Sequence, residues 1–169
     1  VARLRPRVPR DVELDVVNDA CRERIDGTAD LLAQALTNVC VNGLEAMPDG
    51  GVLSIQVRDV ALTPESVCGT SLVPGAYVEV EVRDSGCGMH AQRAIHACEP
   101  FYTTKRGRPG LGLTVAVDAV RGHGGRLTVQ SAVGVGTRVY VHLPASPLPD
   151  ECALPRDVPD DEVSTMRMA

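Results

Sequence analysis

One stretch of the chain gathers side chains suited to holding an anion. Residues 99–113 read Glu-Pro-Phe-Tyr-Thr-Thr-Lys-Arg-Gly-Arg-Pro-Gly-Leu-Gly-Leu and contain the only lysine, Lys105, and the only phenylalanine, Phe101. Sixteen of the 17 basic residues are arginine, so general lysine usage does not account for Lys105. Thr103 and Thr104 add hydroxyls. Gly110 and Gly112 stand at the mouth of a predicted helix, where free backbone N–H groups and the helix dipole favour negative charge. A loop of this make-up suits a polyphosphate.

Three further blocks carry polar groups at regular spacing. Asn38, Asn42 and Glu45 fall on one face of a predicted helix at i, i+4 and i+7. Asparagine is a poor helix former, and such a stripe fits either a solvated face or a set of oxygens turned toward a cation. Magnesium takes oxygen ligands and shares its shell with phosphate. Asp84-Ser85-Gly86-Cys87-Gly88 follows a strand. There an aspartate could accept a hydrogen bond from an adenine amino group, and the glycines allow a sharp turn or a close approach. Gly134-Val135-Gly136-Thr137 reads as a hairpin turn or as part of a site. Gly-x-x-x-x-Gly-Lys-Ser/Thr is absent, and Val115 stands where the third glycine of Gly-x-Gly-x-x-Gly would fall, so neither familiar phosphate signature is present.

The elements that must position these blocks are legible from periodicity. Short strands are predicted at 12–18 and 21–25, then a helix over 29–47 with Thr28 as its cap, stopped by Pro48-Asp49-Gly50-Gly51. Its other face, Leu32, Leu36, Val39, Gly43 and Met47, is ordinary core. Alternation predicts strands at 52–60 and 77–83, separated by a loop over 61–75. A short helix at 90–97, a loop at 99–110, a helix over 111–122 and a hairpin of 126–131 with 137–143 complete the order. Strands and helices that do not alternate regularly imply an α/β fold with a mixed sheet and helices on one face.

Composition narrows the function classes. The chain has 169 residues, enough for one domain with a real core. Aromatics are only 2%, so Val, Leu, Ile and Ala must fill that core. A net charge of −5 argues against general nucleic-acid binding. No apolar run reaches the length of a membrane span and no signal-peptide pattern opens the chain. Six cysteines lack Cys-x-x-Cys spacing and read as reduced thiols. The four histidines show no metal-ligand pattern and read as surface or packing residues. Residues 1–11, rich in arginine and proline, read as a connector. Residues 145–169, rich in proline and acid, read as a disordered tail or linker.

Taken in order, Asn38–Met47, Asp84–Gly88, Glu99–Lys105 with Gly110–Leu113, and Gly134–Thr137 resemble the catalytic ATP-binding domain of sensor histidine kinases. That family belongs with gyrase, heat-shock chaperone and mismatch-repair ATPases. The resemblance covers roughly residues 12–144. Glu-Pro-Phe-Tyr-Thr-Thr-Lys together with Asn-Gly-Leu-Glu-Ala-Met looks most like the nitrogen-regulation type. It implies a two-layer α/β sandwich of the Bergerat type, a mixed sheet of about five strands under three helices, with ATP between a helix and a lid.

Carried over by the resemblance, Asn42 would be the main Mg²⁺ ligand with Asn38 beside it. Asp84 would bind the adenine amino group, in a pocket shaped by Gly86 and Gly88. Lys105 and Thr104 would meet the phosphates. Gly110, Leu111, Gly112 and Leu113 would present backbone to them. Thr137 would support Asp84 at the base, directly or through water. Two departures stand out. Arg108 and Pro109 replace a usual Gly-Thr, which implies a stiffer lid with Arg108 as an added phosphate contact. Glu45 replaces a residue that is basic in many relatives, which leaves Lys105 to supply the ammonium.

Position 38 bears on the reaction. Hydrolysing relatives and related serine kinases carry a glutamate there as general base, whereas Asn38 cannot take a proton. A neutral imidazole is already a competent nucleophile. The resemblance therefore implies a cytoplasmic histidine kinase that transfers the γ-phosphoryl group of ATP to a histidine on a separate upstream dimerisation domain. A response regulator would then receive the group. The piece alone would be monomeric and the full protein a homodimer. Two alternatives are a non-catalytic nucleotide-binding or docking module and an ATP hydrolase of the same superfamily.

Overall fold

The structure is a computed structural model that describes residues 3–21, 25–99 and 110–146. Five strands form one sheet: β1 (Val12–Asn18), β2 (Gly51–Leu62), β3 (Gly75–Asp84), β4 (Arg126–Ala132) and β5 (Gly136–Pro144). Their order is β1-β2-β3-β5-β4. β1 pairs with β2 in parallel, and every other pairing is antiparallel. The parallel pair follows from the helix α1 (Ala29–Glu45) between them, because parallel neighbours need a crossover connection. Between β3 and β4 lie α3 (Ala91–His96) and α4 (Gly112–Gly122).

The strands alternate as half-buried strands must. Leu53 of β2, Val80 and Val82 of β3, and Val139, Val141 and Leu143 of β5 turn one face of the sheet toward the helices. Ala35, Val39, Cys40 and Leu44 of α1 and Ala116 and Val120 of α4 cover it. The core is aliphatic, as the composition requires. Tyr77 is buried apart from that cluster and donates its hydroxyl to the Val73 carbonyl at 2.9 Å.

The opposite face of the sheet is polar. One of its cross-strand rows runs Arg58, Glu79, His142, Arg126. Glu79 is buried in that row, with Arg58 at 2.6 Å on one carboxylate oxygen and His142 at 2.9 Å on the other. A buried carboxylate needs such partners to offset its lost hydration. The Glu79 hydrogen bond holds the Arg58 guanidinium above its ordinary pKa.

Several expectations change in detail. No strand forms at Cys21 or Ile25, and residues 22–24 lie outside the described ones. Cys21 instead ends the turn beyond β1, its N–H donating to Asp59 at 2.7 Å. The loop expected over 61–75 contains a short helix, α2 (Pro64–Val67), because Thr63 accepts the Ser66 N–H as its cap and Pro64 suits the first turn. α1 stops at Glu45, two residues early; Pro48 disfavours helical geometry at Met47. Thr28 occupies the cap position but its side chain makes no cap bond. Its backbone N–H donates to His123 Nε2 at 3.0 Å, and His123 Nδ1 lies 2.6 Å from the Ala119 carbonyl. The imidazole thus bridges the start of α1 to the end of α4.

Candidate functional site

The polar stripe on α1 is not a solvated face. Asn38, Asn42 and Glu45 are half-buried and line a cavity of about 580 Å³. Val129, Thr137 and Val139 form its floor on the sheet. Arg93 and Ala97 line the same cavity, which places α3 on the helix-covered side.

Asp84 enters from the end of β3 and is 6% exposed. Its Oδ1 accepts the Gly86 N–H at 2.9 Å and the Thr137 N–H at 3.2 Å. The first bond closes the turn after the strand. The second crosses to β5, where Thr137 is the register partner of Asp84. Two backbone donors on one oxygen fix the orientation of the carboxylate and compensate its burial. Gly43 of α1 lies against Asp84, and a Cβ there would stand 3.4 Å from Oδ2.

The turn over 84–88 is latched on both sides. Cys87 N–H donates to the Ala46 carbonyl at the end of α1, and the Cys87 carbonyl accepts the Gly134 N–H from the β4–β5 hairpin. Gly86 approaches so closely that a Cβ would strike the Ala46 carbonyl. Gly88 has φ +63°, and a Cβ there would overlap the Ala132 carbonyl oxygen. Gly136 has φ +111° and faces the Asp84 carbonyl in the same way. The glycine blocks at 86–88 and 134–136, far apart in sequence, are therefore one joint.

Gly110, Leu111, Gly112 and Leu113 also line the cavity. Gly112 opens α4 beside Asn42, whose amide atoms are 4.0 Å from the position a Cβ would take. Asn38 donates through Nδ2 to the Gly112 carbonyl at 3.1 Å and accepts Gln34 Nε2 at 2.9 Å. The Asn42 side chain has no hydrogen-bond partner among the described residues. An amide oxygen with open lone pairs beside a helix N-terminus is a donor set that fits a hard cation carrying phosphate. Thr104, Lys105 and Arg108 lie outside the described residues.

Spacing alone did not reveal Cys87, Met89, Arg93 and Ser131. Cys87 and Met89 sit in or beside a singled-out motif, and Arg93 falls four residues after Met89 on α3. Ser131 lies in a plain strand with no motif, and only pairing with Thr137 could have marked it.

The chain belongs to the family described as histidine kinase-, DNA gyrase B-, and HSP90-like ATPase, whose model matches residues 27–147. It is 32% identical over 126 residues to sporulation kinase C of Bacillus subtilis (strain 168), covering 75% of this chain and 26% of that protein. It is 31% identical over 137 residues to the sensor histidine kinase ZraS of Escherichia coli O157:H7, covering 81% of this chain and 27% of that protein. The chain thus spans about a quarter of the length of these curated relatives. The fold superposes on the mycobacterial sensor histidine kinase MprB with a TM-score of 0.67 and 25% identity, covering 87% of this chain and 90% of that one.

Proposed function

We propose that this chain is the catalytic domain of a protein histidine kinase, which binds Mg²⁺–ATP and delivers the γ-phosphoryl group to a histidine on a separate domain. The observation that carries this reading is that Asp84, from the end of β3, and Asn42, from α1, line one cavity. One is a buried acceptor suited to an amino group, the other an uncommitted amide beside a helix N-terminus suited to a metal–phosphate pair.

Asn42 Oδ1 would hold the cation, with Asn38 Oδ1 contributing its remaining lone pair beyond Gln34. When bound, Mg²⁺ would neutralise phosphate charge. The protein's own part is positioning. Asp84 and Thr137 orient the base, and Lys105 with Thr104 and Arg108 meets the phosphates. The backbone of 110–113 lines their path. Asn38 cannot deprotonate a water, which favours transfer to an imidazole over hydrolysis.

The test has two stages. Calorimetric titration with a non-hydrolysable ATP analogue and Mg²⁺ should show binding that Asp84→Asn and Lys105→Ala each weaken. Mixing the domain with a histidine-bearing dimerisation domain and labelled ATP should then yield acid-labile phosphohistidine, which a response regulator would discharge. Binding without transfer would favour a docking module. Steady phosphate release abolished by Asn42→Ala would favour a hydrolase.

A further inference from the structure

Three hydrogen bonds converge on a hydroxyl that the nucleotide reading does not use. Ser131, the penultimate residue of β4, is the register partner of Thr137. Its Oγ accepts the Met89 N–H at 2.8 Å, donates to the Gly136 carbonyl at 3.0 Å, and lies 2.9 Å from Thr137 Oγ1. A serine hydroxyl has one proton and two lone pairs. With its proton on the Gly136 carbonyl and one lone pair taken by Met89, only the second lone pair faces Thr137. In the arrangement where Ser131 gives its proton to the Gly136 carbonyl, the Thr137 hydroxyl gives its own proton to Ser131. Its lone pairs are then left as acceptors in the cavity that Thr137 lines with Asp84.

The geometry points to Ser131 as a positioning residue that fixes the Thr137 hydroxyl as an acceptor and so sets the preference for a base with an exocyclic amino group. Two acceptors side by side, the Asp84 carboxylate and the Thr137 oxygen, welcome an amino group and repel a carbonyl oxygen at the same place. This inference rests on the nucleotide reading above and deepens it. Removing Ser131 frees the Thr137 hydroxyl to turn and donate, which would make a carbonyl acceptable.

The experiment compares ATP with inosine triphosphate, which carries a carbonyl where adenine has its amino group. Dissociation constants are measured in Mg²⁺ for the parent, Ser131→Ala, Thr137→Val and the double variant. The parent should prefer ATP. Ser131→Ala should narrow that preference about five- to tenfold, the worth of one hydrogen bond. Ser131→Thr should restore it, and Ser131→Ala should add nothing once Thr137 is valine. Should Ser131→Ala not fold, Ser131→Cys keeps the shape with a weak donor and must narrow the preference likewise. Equal weakening of both nucleotides would make Ser131 a structural tie between turn and hairpin and overturn the proposal. A parent that binds neither nucleotide would refute the nucleotide reading itself, and this inference with it.

Discussion

Asn38 on α1 donates its side-chain N–H to the carbonyl of Gly112, the first residue of α4, at 3.1 Å. One turn further along α1, Asn42 stands beside the same glycine, and its side chain bonds no described residue. Two asparagines of one stripe therefore do different work. Asn38 ties the helices together through its N–H and has only part of its oxygen to spare, whereas the whole Asn42 amide stays available to a ligand.

Their variants should separate accordingly. Asn38→Ala removes an interhelical bond worth about 1 kcal/mol and should lower Tm by roughly 4 °C. Asn42→Ala should leave Tm within about 2 °C of the parent yet abolish the Mg²⁺-dependent part of ATP binding. Thermal melts paired with titrations in Mg²⁺ and in EDTA distinguish the two. An Asn42→Ala protein as unstable as Asn38→Ala would contradict the division.

Asp84 has a structural and a recognition role on separate chemical grounds. Asp84→Asn keeps an oxygen for the Gly86 and Thr137 N–H groups but exchanges an acceptor for a donor. It should weaken ATP at least about tenfold, or 1.4 kcal/mol, with little change in urea midpoint. Asp84→Ala orphans both N–H groups and should cost about 2–4 kcal/mol of stability. Equilibrium unfolding of both variants beside nucleotide titration checks this.

The two hairpin glycines should differ sharply. Gly134 has φ +75° but open space around its Cα, so Gly134→Ala should cost about 1 kcal/mol of backbone strain. Gly136→Ala adds an overlap with the Asp84 carbonyl and should cost roughly 3 kcal/mol or more. Denaturant midpoints give the ranking, and equal values would show that the joint can open without penalty.

Cysteine chemistry reports on both core and cavity. Burial pushes the Cys40 thiol from 9.0 up to about 11. Between those values the unfolded chain has released a proton that the folded chain keeps. Stability must therefore fall as pH rises through this window, by roughly 2–3 kcal/mol in all. Unfolding curves from pH 8 to 11 should be flatter for Cys40→Ala. Cys87, exposed and on the cavity wall, should react with thiol reagents at neutral pH and be slowed by ATP. The exposed Cys21 and Cys68 should react regardless of ATP. Mass spectrometry of the labelled peptides resolves the sites.

The strands and helices were legible because each has one apolar face at a single period. Val52 to Val60 alternates, and Leu32, Leu36 and Val39 repeat at helical spacing. The short helix α2 was not, since four residues are too few to show a period and its signal is the local Thr63–Pro64 cap. A strand expected at 21–25 rested on propensity alone; Cys21 and Ile25 belong to no strand, and the edge strand ends at Asn18.

By itself the sequence determined the chemical inventory: two helical asparagines, an aspartate at a strand end, and glycines in two separated blocks. These are local facts, written in residue type and spacing. Tertiary structure decided what the inventory could not. It paired Asp84 with Thr137 across β3 and β5, closed Gly88 onto Ala132, committed Asn38 to Gly112 and left Asn42 open. It also brought Ser131 within hydrogen-bond distance of Thr137. Register between strands and packing between helices arise from contacts distant in sequence, and the direction of a hydroxyl proton depends on every acceptor around it.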